Sequence, residues 1–264
     1  MFFSSLLLSS LCLTATGCQN EGGIAAPSAA NLIDTSPAED PINYTNFGNQ
    51  QYSSNTNGIQ KNSNSSSSGK QVQVGEKCQR RDPNHLCLAV NYVVYANSLG
   101  KPIVTPQEAA ANIKEINKVW NQCNLGFQIE KFQTINPSQV GLKFHTADSS
   151  ELDEIRNAKY ADGNSLLVVT TGKWDRSGSL GSTGANAWTA MPGSGPYGAV
   201  LEASVGSFAN IIAHELGHYI GLDHVSDSND LMNPIIYDNS TELTKDQCEN
   251  ARNTIAQYWS NHLR

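Results

Sequence analysis

HELGHYIGLDH, residues 214–224, sets three histidines, a glutamate and two glycines within eleven residues. On an α-helix, positions four apart lie about 40° apart in projection and one turn along the axis, so His214 and His218 show two imidazoles on one side. Glu215 is turned by about 100° from His214, which sets its carboxylate beside the position that two such ligands leave open. Gly221 can take the left-handed conformation that ends a helix, so the chain doubles back and presents His224 as a third ligand. Three neutral imidazoles and an open fourth position make a catalytic coordination suited to Zn²⁺. Zinc lowers the pKa of its water towards about 7, and Glu215 is placed to take the remaining proton and pass it to a departing amine. That is peptide-bond hydrolysis without a covalent intermediate. The plainer reading, solvated histidines on an amphipathic helix, would serve for one His-x-x-x-His pair. All five defined positions coincide by chance in about 10⁻⁵ of sequences of this composition.

Working outward, Phe208, Ile211, Ile212, Leu216, Tyr219 and Ile220 give the motif helix an apolar face, with its start expected at Ser207. Upstream, CLAVNYVVYA (87–96) reads as a largely buried strand. A helix follows from the N-cap Thr105 and Pro106, with Ala109, Ile113, Ile116 and Trp120 facing one core. LGFQIEKFQTI (125–135) and SLLVVTT (165–171) read as strands, the second a central one. Residues 172–205 are rich in Gly, Ser, Ala and Pro; an irregular edge strand and a turn are expected there, rimming a cleft. After the loop 225–243, Thr244 caps a closing helix. Strand, helix, strands, motif helix, loop, helix is the order of an α/β (α+β) sandwich.

The first third differs in kind. MFFSSLLLSSLCLTATGCQN opens with an apolar core too short to span a bilayer, which reads as an export signal over 1–17. LTATGC resembles a bacterial lipobox, with Cys18 as the lipidated residue and the mature N-terminus. Ala15 stands where Leu is commonest, and the usual basic residue before the apolar core is missing. A plain cleaved signal and an uncleaved anchor are the alternatives. Gln19 follows, not the Asp that favours inner-membrane retention, so the expected address is the outer membrane or the cell surface. Residues 18–75 are dominated by Asn, Ser, Gly, Gln and Thr, as in NSNSSSSGK (62–70), and read as a disordered tether. One folded domain over 76–264 is left. A net charge of −7 and no basic patch argue against nucleic acid as a partner.

Besides Cys12 and Cys18, the chain has Cys78, Cys87, Cys123 and Cys248, an even set that in an exported protein reads as two disulfides. Of three connectivities, Cys78 with Cys87 and Cys123 with Cys248 is preferred. The first would staple the start of the domain, the second tie an early helix to the closing one.

HExxHxxGxxH is the zinc signature of the metzincin metalloproteases, and residues 214–224 match all its defined positions. SDSNDLMNPIIY (226–237) resembles the family's methionine turn, with Met232 packed beneath the site, and its interval from His224 is similar to the matrixin branch. The resemblance implies a zincin catalytic domain: a twisted mixed sheet, an active-site helix and a C-terminal helix. Matrixins wall their substrate pocket with Pro-x-Tyr; Pro234 and Tyr237 stand one residue further apart, so Tyr237 either lines that pocket or packs in the core. No tyrosine takes the extra zinc contact seen in astacins and serralysins. No histidine lies between His145 and His214, so a second, structural zinc is not expected. KCQRRDPN around Cys78 lacks the matrixin latency pattern, which leaves a Cys78 thiolate on the zinc as the lesser reading. The family's pairing of an edge strand with extended substrate is expected of YGAVLEAS (197–204).

Smaller signals stay open. Asp223 either orients a ligand or bonds backbone past the helix end. Asp227, Asn229 and Asp230 are a candidate Ca²⁺ loop or plain turn formers. His85, His145 and His262 have no partner at metal spacing and read as surface or packing residues. The whole reads as a monomeric, lipid-anchored zinc endopeptidase of the bacterial envelope, acting on protein or peptide. The alternatives are a non-catalytic zinc-containing lipoprotein that binds a partner, and a zinc hydrolase of cell-wall peptide.

Overall fold

A computed structural model describes residues 23–24, 74–78 and 84–264. The expected signal, Cys18 and most of the expected tether lie outside them. Six strands form one sheet: β1 (Gly23–Ile24), β2 (Leu86–Tyr95), β3 (Leu125–Ile135), β4 (Leu166–Thr170), β5 (Ala187–Thr189) and β6 (Ala199–Leu201), in the order β1-β5-β6-β4-β2-β3. β3, β2, β4 and β6 run parallel, while β5 is antiparallel to β6 and β1 antiparallel to β5. Alternation divides the strands between two cores. Val90, Tyr92 and Val94 of β2 and Leu166 and Val168 of β4 join the larger one. Val93, Tyr95, Leu167 and Val169 join the smaller.

The larger core is roofed by α1 (Pro106–Trp120), α3 (Ala209–Tyr219) and α4 (Lys245–Tyr258). Both Thr caps hold as the sequence reads them, each a capping box: Thr105 with Glu108 and Thr244 with Gln247. Two buried indoles fix α3 in the roof, Trp120 donating to the Ala213 carbonyl at 3.2 Å and Trp259 to that of Tyr219 at 2.9 Å. The smaller core is covered by α2 (Glu151–Asn157) with Trp174 and Leu180.

Three expectations change. Ala199–Leu201, within YGAVLEAS, is an interior strand between β4 and β5, and Ala187–Thr189 lies outside it, with β1 beyond. The motif helix begins at Ala209, and Phe208 is its 48% exposed N-cap residue, not part of the apolar face. α2 has no counterpart in the sequence reading: a seven-residue helix with only Leu152 and Ile155 as buried aliphatics is too short for a periodic signal. Gly23–Ile24 and Val74, all within the stretch read as tether, pair with β5 and with Ile129.

Both preferred disulfides form, Cys78–Cys87 and Cys123–Cys248. The second joins the short 3-10 turn that follows α1 to the first turn of α4 across a sequence separation of 125, against 9 for the first. Chain entropy makes the longer loop worth about 5 kcal/mol and the shorter about 3. Urea unfolding of the Cys123→Ala/Cys248→Ala and Cys78→Ala/Cys87→Ala proteins should show the greater loss in the first; a reversed order would place the stabilisation in native contacts.

Glu151, 6% exposed, accepts a hydrogen bond from the Tyr95 hydroxyl. Burial leads in pushing its carboxyl from 4.5 up to about 7; Tyr95 opposes this, and Glu154 and Asp148 add to it. An acid raised in the folded state contributes stability that is whole below its unfolded pKa and is lost as pH rises through the folded one. Between pH 4.5 and pH 7.5 this group should remove on the order of 3 kcal/mol. Glu151→Gln should flatten that slope in urea titrations, and an unchanged slope would assign it to other groups.

Candidate metal centre

α3 carries His214 and His218, both buried, one turn apart, and its end is set by Gly221, whose φ is +89°. Glycine is demanded twice over there, because a Cβ would also stand 2.6 Å from the Thr254 hydroxyl of α4. The Leu222 amide bonds back to the Gly217 carbonyl at 3.0 Å, closing the helix, and the chain returns with His224. The Nε2 atoms of His218 and His224 are 3.0 Å apart, and those of His224 and His214 3.3 Å. Nitrogens at about 2.05 Å from a tetrahedral zinc are separated by about 3.3 Å. The three donors therefore fit that ion in type, number and spacing.

The outer nitrogens decide which atom faces the centre. His214 Nδ1 is 2.7 Å from the Leu231 carbonyl, and His218 Nδ1 is 2.7 Å from that of Leu222. A carbonyl only accepts, so each Nδ1 carries the proton and each Nε2 turns a lone pair inward. Burial first, then the neighbouring imidazoles, lower the pKa of His214 well below the ordinary value and that of His218 to about 4. Both rings are neutral at pH 7, as ligands must be.

Met232 lies in the turn that supplies the Leu231 carbonyl and is wholly buried. Its sulfur sits under Gly217 of α3, where a Cβ would approach it to 2.4 Å. Asp230 shapes the turn by accepting from the Met232 amide at 2.7 Å and from the Gln247 side chain, in the cap of α4, at 3.0 Å. The Val225 amide, next to His224, donates to the Met232 carbonyl at 3.0 Å. One turn thus braces His214 through its main chain, α3 from below and the segment bearing His224.

Glu215 is fully buried, and the Thr189 hydroxyl on β5 donates to its Oε2 at 2.5 Å. Its Oε1 bonds to no group among the described residues. Burial pushes this carboxyl up to about 8, against the Thr189 bond. A dication on the three imidazoles favours the carboxylate again.

The other candidates divide. Tyr237 is 44% exposed, which removes the core reading, and its carbonyl and that of Asp238 meet Asn210 in the first turn of α3. Pro234 is exposed beside it. Asp223 is exposed and acts on His224 through its charge. Asp227 and Asp230 accept turn amides and Asn229 accepts from Asn239, so the plain turn reading describes this loop and calcium has no support. His85, read as having no partner at metal spacing, stands within 4.8 Å of the Cys78 and Cys87 sulfurs, but these are spent on their disulfide.

Two positions that shape the site escaped the sequence reading. One is Thr189. The other is Glu202, 3% exposed just past β6, which accepts from the Trp174 amide, Asn186, Ser204 and, on both its oxygens, Nη2 of Arg176. Burial raises its pKa, but these donors together outweigh burial and lower it. They pin residues 174–186 to the sheet and so place β5 over α3. Nothing in the local sequence marks either residue, since each acts through a partner 26 positions away.

The family model described as matrixin, of the M10 peptidases, matches residues 88–255. No curated protein sequence matches the chain. Among solved structures, metalloproteinase-II from Bacteroides fragilis is similar at a TM-score of 0.45 and 13% identity, over 70% of this chain and 57% of that one. An archaemetzincin from Methanopyrus kandleri is similar at 0.43 and 14%, over 67% of this chain and 99% of that one. The matched region covers more than half of the sequence, from β2 to α4 with all three imidazoles, and the chain belongs to the matrixin family.

Proposed function

We propose that this metallopeptidase is a zinc-dependent endopeptidase, with His214, His218 and His224 as ligands and Glu215 as general base. The observation that carries the reading is a buried carboxylate with one oxygen free of partners among the described residues, on the same helix as two of three converging imidazoles. When bound, zinc supplies an open Lewis-acid position for water and for the scissile carbonyl. Glu215 takes the proton released there on Oε1 and returns it to the departing amine. A structural site needs no such carboxylate, which disfavours the non-catalytic lipoprotein.

An endopeptidase must also hold an extended chain. β5 lies outside β6 near one end of the sheet, and its far side pairs antiparallel with a short strand of the chain itself, Gly23–Ile24 against Trp188 and Ala187. A substrate taking the place of Gly23–Ile24 would pair with the same main-chain groups. Tyr237 and Pro234, exposed beside the first turn of α3, are proposed to wall the adjoining pocket. Cys18 and the apolar opening support export and lipid anchoring at the bacterial envelope as part of the same proposal.

The purified protein should bind one zinc by elemental analysis and cleave a quenched-peptide library. Chelation should abolish cleavage and added zinc restore it. Glu215→Ala should keep the zinc and lose at least about 10³-fold in kcat, in line with removal of a general base. Full zinc with no cleavage of peptides or folded proteins would return the non-catalytic reading, and no zinc would refute the ligand assignment.

A further inference from the structure

We infer that Thr189 is a positioning residue for the general base: its hydroxyl holds Oε2 of Glu215 and thereby aims Oε1 at the reacting centre. The assignment rests on the endopeptidase reading for its kinetic consequence, but its geometry stands on the structure. Thr189 is 4% exposed and Glu215 fully buried, so their 2.5 Å hydrogen bond is made out of water's reach. It is the bond to a protein group that fixes Oε2, while Oε1 has none among the described residues.

The two oxygens of a carboxylate are chemically equivalent, and rotation about its last torsion is soft. What makes them different here is Thr189. Alternation along β5 turns Thr189, like Ala187 of the larger core, towards α3, and Trp188 to the other face. A strand position filled only for packing would accept valine, which is nearly the same size and suits a strand as well. Valine would leave Oε2 buried without a donor, a state that favours rotation of the carboxyl.

The position has a second consequence. Thr189 belongs to the strand proposed to pair with substrate, through main-chain groups, while its side chain grips the base. Substrate register and base orientation are therefore referred to one residue. A change confined to the hydroxyl should alter the chemical step and spare binding, because the backbone of β5 is untouched.

The test compares the full-length zinc-loaded protein with Thr189→Val and Thr189→Ser. Valine should lower kcat by about 10- to 100-fold, the usual cost of removing a partner that orients a site residue. KM should stay within about twofold, with zinc content and Tm retained, and serine should restore most of kcat. Crystal structures of wild type and Thr189→Val give a readout independent of turnover: Glu215 should be single in the first, and rotated or split in the second. Unchanged kcat in Thr189→Val, or equal losses of kcat and Tm in both variants, would overturn the proposal. If wild type cleaves nothing, the endopeptidase reading fails, and the Glu215 conformation in the two crystal structures still decides: unaltered by valine, the positioning role is wrong.

Discussion

Two hydrogen bonds from histidine Nδ1 atoms to main-chain carbonyls are what the centre hangs on. A helix can place two imidazoles side by side, but it cannot say which ring nitrogen points inward. That choice is made by Leu231 and Leu222, whose carbonyls take the Nδ1 protons of His214 and His218. Leu222 follows Gly221, so the residue that breaks the helix also sets up the carbonyl that orients its second ligand. Leu231 precedes Met232, so the turn beneath the site orients the first. Each long-range support of these two loops therefore supports the metal centre: Asn250 of α4 on the Gly221 carbonyl at 2.9 Å, and Gln247 of α4 on Asp230 at 3.0 Å.

α4 is in this sense the back wall of the site, and the Cys123–Cys248 bond explains how it stays there. Gln247 and Cys248 are consecutive, so the residue gripping the turn is next to the one bonded to the short 3-10 turn that follows α1. α1 in turn contacts α3 through Trp120. Helix, disulfide, helix and turn close a ring around α3, and loosening any member moves the carbonyl that faces His214. The cross-link thus acts on the geometry of the native site as well as on the entropy of the unfolded chain.

The parts legible in the sequence were those whose signals are local. The motif, its breaking glycine, both Thr caps and the long strands each rest on spacing or on short-range hydrogen bonds, while the cysteine pairing was a preference among three connectivities. Met232 was legible only through resemblance, because nothing local tells a buried methionine under a metal site from one in a core. α2, the swapped roles of β5 and β6, and the exposure of Phe208 were not legible. Three-residue strands carry no alternation to read, and which of two lies further out is settled by sheet order, a non-local property. Thr189 and Glu202 were hidden for the same reason: their partners are distant in sequence and near only after folding.

β5 shows how such non-local choices become chemistry. β5 is three residues long and cannot be held by its own pairing alone. Its approach is anchored at Glu202, where a buried carboxylate meets a guanidinium, an amide, a carboxamide and a hydroxyl. A buried charge so fully matched is costly to disturb in either direction: losing a donor strands the carboxylate, and moving the loop breaks several bonds at once. That stiffness is what β5 needs, because Thr189 at its far end must stay within hydrogen-bond reach of Glu215. A surface loop rich in glycine and serine has thereby been given the rigidity of a core element, through one acid that the sequence leaves unmarked.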